Sequence, residues 1–263
     1  MKYYKNLFEP FVNNKGKLYI KDYKTKSISN IIQKFYEKIN KLKSDNLKST
    51  FSSKTLVSYK DMKCSLLDSN YIPNHIKKEI EKIRYTYTYF FIVKSNNVKV
   101  TVNFLLNSRD DIKYYDDCIK KIIIWLNFAY TYSNTKNASF LLNMYLSEER
   151  KTIPKNNTKV LDQDNCNTAV TYACAIKGEC LIYRKEEWFK VLIHETMHAL
   201  CLDFSGFTYT NLKKKISNIF PINSKFEISE TYAETWATIL NNVFISNEMA
   251  NNDKDRIKFF NSL

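Results

Sequence analysis

The chain has 263 residues, 44% of them hydrophobic and 15% aromatic, which is enough to fill the core of one large domain or two small ones. Three Gly and four Pro argue against a loop-rich fold, and no stretch reaches the roughly 18 uninterrupted apolar residues that a membrane span requires. The net charge of +14 is uneven: residues 1–84 carry 19 basic and 8 acidic side chains, against 22 and 19 in the remainder. The first third is therefore expected to meet something acidic: nucleic acid, a lipid surface or an acidic protein. A solvated Lys-rich face accounts for the charge equally well, and no nucleic-acid-binding fingerprint accompanies it.

In chain order, MKYYKNLFEPFV holds no apolar run of signal-peptide length, so a protein made and kept in the cytoplasm is expected. Ser27–Lys43 carries Ile28, Ile31, Ile32, Phe35, Ile39 and Leu42 at helical spacing and reads as an amphipathic helix. Ser44–Ser53 reads as a loop, 54–70 is ambiguous, and Pro73–Ile83 reads as a helix with Pro in its first turn. Its His75, alone near a helix start, is expected to be merely exposed. The period then changes to two. Tyr85–Lys94 and Val98–Leu106 form a hairpin. Asp110–Tyr132 is a long helix with Ile119, Ile122, Ile123, Leu126 and Phe128 inward, and Ser139–Leu146 is a third strand. Polar Lys151–Asn167 reads as a loop, and Val170–Ile176 and Glu179–Tyr183 as two further strands. The six cysteines form no C-x-x-C pair, so reduced and mostly buried thiols are expected; Cys166, Cys174 and Cys180 are close enough for a metal or a disulfide.

The stretch Trp188–Asp203, WFKVLIHETMHALCLD, contains His194-Glu195-Thr196-Met197-His198. Residues four apart share a helix face, so both imidazoles can reach one ion, while Glu195 sits about 100° round the helix. There it can act as general base towards a water in the same site. The helix is apolar on nearly every side, which means burial. Burying three polar side chains without partners would cost roughly 2–7 kcal/mol each, a cost that a metal removes. Two plainer readings stay open: a satisfied histidine pair without metal, and a structural zinc closed by Cys201 or Cys180. The latter would block the open position that catalysis needs.

A third ligand is expected from Ser224–Phe244. Ser224-x-x-Glu227 has the form of a capping box, and Glu230 and Glu234 then lie one turn apart on one face, beside Ala233 and Ala237. Glu230 as ligand with Glu234 orienting a histidine is the preferred assignment, and Glu234 as ligand is the alternative. Asp203, five residues past His198, is expected to be a helix-end group or to support a ligand from behind.

His194-Glu195-x-x-His198 followed by Glu230-x-x-Ala233-Glu234-x-Trp236 resembles the gluzincin metallopeptidases, in particular their lethal-factor-like branch. The likeness covers about Val170–Leu240. It implies zinc on His194, His198 and Glu230, with Glu195 as base. Relatives of that kind carry a transition-state tyrosine shortly before the third ligand. This chain has Phe220 and Phe226 there, leaving Tyr209 and Tyr232 as the nearest substitutes. In its AT-rich residue bias the chain is also similar to proteins of large DNA viruses, which adds virion association to the expectations.

The expected architecture is α+β: a zincin-like metallopeptidase domain over 85–263, preceded by a basic, mainly helical region over 1–84. The expected activity is zinc-dependent hydrolysis of a protein or peptide substrate. The alternatives are a non-catalytic basic binding protein with a vestigial or structural metal site, and a metal-dependent amidase.

Overall fold

The computed structural model describes residues 26–46, 53–58, 64–107, 112–154, 158, 160–203, 205, 210–221, 223–250 and 252–263. The chain is α+β, built on one mixed sheet with helices on one face and a shorter cover on the other. In order the elements are α1 (Lys26–Asn46), β1 (Ser53–Ser58), a 3-10 turn (Ser65–Asp68), α2 (Asn74–Glu81), β2 (Tyr85–Val93), β3 (Val98–Leu106) and α3 (Ile112–Tyr130). Then follow β4 (Ser139–Ser147), α4 (Gln163–Cys166), β5 (Ala169–Thr171), β6 (Lys177–Arg184), α5 (Trp188–Ala199), α6 (Thr210–Ile219), α7 (Ile228–Met249) and α8 (Asp253–Ser262).

The sheet runs β1-β2-β3-β4-β6-β5. The first three strands form an antiparallel meander; β3, β4 and β6 are parallel, and β5 turns antiparallel onto β6 at the edge. Period-two alternation divides the side chains between two cores. On one face Val98, Val100, Val102, Phe104, Cys180 and Ile182 meet α1, α3, α5 and α7. On the other, Leu105, Leu181 and Tyr183 meet Leu66, Ile72, Ile76 and Ile80. Residues on both sides of position 84 thus share both cores. Among the described residues no helix is long and apolar enough to cross a membrane.

Several local expectations change. On α1 the inner face is Ile32, Tyr36 and Ile39, while Ile31 is 52% exposed. Tyr36 is inward because its hydroxyl finds Ser246 Oγ on α7 at 2.7 Å. Val170–Ile176 is strand only to Thr171, because the chain turns at Cys174, whose φ is 55°. The loop expected over Lys151–Asn167 contains α4, a turn started by Asp162, whose side chain accepts from Asp164 N, while Asn165 Oδ1 accepts from Asp162 N. Glu227 is itself the N-cap of α7 and makes no side-chain cap, so the Ser224 capping box does not form. Its carboxylate is held instead by Lys213 Nζ at 3.1 Å.

Candidate metal centre

Helix α5 owes its placement to its neighbours. Leu192 and Ile193 are fully buried in the main core, and Trp125 Nε1 on α3 donates to Thr196 Oγ1 at 2.8 Å. Glu186 and Glu187 precede the helix rather than filling its first turn, and they hold Lys151 through its backbone N–H and its Nζ. With the core-facing side so anchored, His194, Glu195 and His198 line a cleft of about 720 Å³.

Helix α7 crosses α5 with Ala233 and Ala237 both fully buried; their lack of bulk lets the two helices approach closely. The approach delivers Glu230. Its two carboxylate oxygens lie 3.3 Å from His194 Nε2 and 3.4 Å from His198 Nε2, and the two Nε2 atoms are 3.1 Å apart. Among the described residues this is the one group of three or more His, Cys, Asp or Glu side chains able to share an ion.

The far side of each ring is also fixed. His194 Nδ1 faces Glu234 Oε2 at 3.1 Å, and Glu234 in turn pairs with Lys190 Nζ. His198 Nδ1 faces Asp203, which also accepts from Ser205 N at 3.1 Å and from Ser205 Oγ. A carboxylate can only accept, so each Nδ1 donates. In the neutral rings both Nε2 lone pairs then point towards Glu230, and three acceptors converge with no hydrogen among them. A tetrahedral ion with ligands at about 2.0–2.1 Å needs neighbouring ligand atoms about 3.3–3.4 Å apart, close to the 3.1, 3.3 and 3.4 Å found here. The donor set could therefore hold a divalent ion.

In the metal-free protein protons take the place of an ion, because an imidazolium donates from Nε2 as well as from Nδ1. The hydrogen bonds from His194 and His198 hold Glu230 well below the usual carboxylate range. Burial pulls the His198 imidazolium down, but its bonds to Asp203 and Glu230 outweigh this and lift its pKa to about 10. His194 is raised too, Glu230 and Glu195 together overcoming burial. Glu195 is pushed up by burial, against the pull of the two histidines.

Of the expected site residues, His194, His198 and Glu230 come together, Glu195 lines the same cleft, and Glu234 and Asp203 stand behind the two rings. Only Glu230 reaches both Nε2 atoms. The expectation of reduced cysteines fails at one pair: Cys174 and Cys201 are joined by a disulfide, so Cys201 does not close the site. Cys118 and Cys180 are free and buried, Cys64 is half-buried and Cys166 exposed. Tyr232 packs against Trp236 and does not line the cleft. Tyr209 lies outside the described residues. Tyr71, which no sequence pattern marked, does line the cleft; its carbonyl accepts from Asn167 Nδ2 at 3.0 Å and from the Tyr183 hydroxyl at 3.3 Å. His75 is away from the site and pairs with Glu149 at 2.8 Å. No protein-family model, curated protein or solved structure matches the chain.

Proposed function

We propose that the chain is a zinc-dependent metallopeptidase. The observation that supports this best is the convergence of His194 Nε2, His198 Nε2 and the Glu230 carboxylate, each ring backed by a carboxylate of its own. Bound by these three side chains, zinc would supply Lewis acidity to the hydrolysis. Glu195 takes a proton from the attacking water and returns it to the leaving amine. Glu234 and Asp203 keep each imidazole in the tautomer that presents Nε2.

The cleft also suits an extended chain. Strand β5 is the last in the sheet order, and Ala169, Val170 and Thr171 line the cleft beside the histidines. Its outer edge, unpaired by any strand among the described residues, would take a peptide by backbone hydrogen bonding, with side chains alternating towards and away from the cleft floor.

The test is Glu195→Gln in the full chain. Zinc content by elemental analysis should stay at one ion per chain while cleavage of a peptide library is lost. Unchanged cleavage would reject the mechanism. Salt-dependent nucleic-acid binding that survives this substitution, in a wild type that cleaves nothing, would favour the non-catalytic reading instead.

A further inference from the structure

We propose that α6 docks the protein onto an anionic lipid surface. This ten-residue helix, TNLKKKISNI, buries none of its residues. Its apolar side chains nevertheless share one side. At 100° per residue, Leu212, Ile216 and Ile219, with Phe220 directly after the helix, span an arc of about 100°. Leu212 is 45% exposed, Ile219 71% and Phe220 59%. Phe220 N donates to Ile216 O at 2.8 Å, so the last aromatic continues the helical path and joins that side.

The charges lie where a membrane surface would use them. Lys213 and Lys215 flank the apolar arc on opposite sides, and Lys214 projects from the far side. A flanking lysine such as Lys215 can lay its methylene stem along the apolar strip and raise its ammonium group to phosphate level. A helix of low overall hydropathy, with a Lys-rich face and a Leu/Phe face, lies in the plane of a bilayer interface. The chain's net charge of +14 adds attraction to anionic headgroups over the rest of the surface.

Attachment of α6 to the rest of the chain gives docking a direction. The Lys213–Glu227 pair at 3.1 Å ties the helix to the start of α7. Ser205 before the helix and Ser229 after it both line the cleft. A bilayer under α6 would therefore also hold the start of α7 close to the membrane. The inference does not depend on the metal site, and its readout is independent of catalysis.

The experiment is cosedimentation of the full-length chain with vesicles of phosphatidylcholine alone and of phosphatidylcholine with about a third phosphatidylserine. Binding to the anionic vesicles should be at least tenfold stronger and should weaken with added salt. The double variant Ile219→Asp, Phe220→Asp, altered only at exposed positions, should lose at least tenfold, and so should Lys214→Glu, Lys215→Glu. Failure of the wild type to bind anionic vesicles overturns the proposal. So does wild-type binding by the Asp double variant, since the attraction would then come from charge elsewhere. A lipid-free dimer in analytical ultracentrifugation that Ile219→Asp dissolves would overturn it in favour of a second copy of the chain.

Discussion

Replacing Asp203 by Asn separates a supporting role for this residue from a purely local one. Its carboxylate is fully buried and accepts from three donors: His198 Nδ1, Ser205 N and Ser205 Oγ. Asn keeps one acceptor oxygen but turns an NH2 group towards one of those donors, so a donor must face a donor. The His198 ring then loses either its orientation or its tautomer. Loss of such a partner typically weakens metal binding 10–100-fold, or about 1.4–2.8 kcal/mol at about 1.4 kcal/mol per factor of ten. Glu234 is the internal comparison. It touches the other histidine in the same way, but its side chain is 51% exposed and shared with Lys190. Water can replace it, so Glu234→Gln should cost less than tenfold. Competition with a chromophoric zinc chelator at fixed pH measures both. Wild-type affinity in Asp203→Asn, or a larger loss in Glu234→Gln, would refute the ranking and the tautomer argument with it.

Two further outcomes follow from the same geometry. The folded pKa of His198 is raised from 6.5 to about 10, so its contribution to the stability of the metal-free protein is complete below pH 6.5 and lost as pH rises towards 10. Melting temperatures in chelator should therefore fall across that window, less steeply in His198→Gln and in zinc-loaded protein, where the ion stands in for the proton; a metal-free curve without that His198-dependent fall would contradict the reading. Ala233 is fully buried where α7 meets α5, so Ala233→Leu should destabilise the fold by about 1–3 kcal/mol and weaken zinc binding by moving Glu230 away. Thr235→Leu, on the exposed side, should do neither in chemical denaturation and chelator competition.

Where the sequence was legible, several constraints coincided. The hairpin Tyr85–Val93 and Val98–Leu106 stands within a residue of its expected bounds because β-branched and aromatic residues fill β2 and Val recurs at every second position from 98 to 102 in β3. The edge strand Ser53–Ser58 fell across an expected loop and an ambiguous stretch. SKTLVS is short and polar, and backbone pairing with β2 defines it rather than a hydrophobic pattern. Helix α6 drew no notice for the opposite reason: it has the pattern of an amphipathic helix and no core to meet. The Ser224 capping box was a local signal overridden from a distance, since Lys213 holds the Glu227 carboxylate that the box required.

The candidate site divides along the same line. Spacing alone put His194 and His198 on one side of a helix, because four residues make close to one turn. It could not decide between Glu230 and Glu234, which share a face one turn apart. Which of the two carboxylates stands against both Nε2 atoms depends on where α7 crosses α5, beside the small Ala233 and Ala237 and with the Lys190 ammonium on Glu234. Asp203 was the least legible. A straight helix would carry it away from His198, yet α5 stops at Ala199 and the chain reverses at Cys201, which has φ 55° and is not glycine. The turn is held on both sides: Leu202 N and Cys201 N donate back into the helix at 2.8 and 3.1 Å, and the disulfide ties Cys201 to Cys174, whose own N–H donates to His198 O at 3.1 Å. The carboxylate behind His198 is therefore placed by a cross-link that spans the end of the edge strand and the end of the histidine helix. No periodicity in either segment could announce that contact.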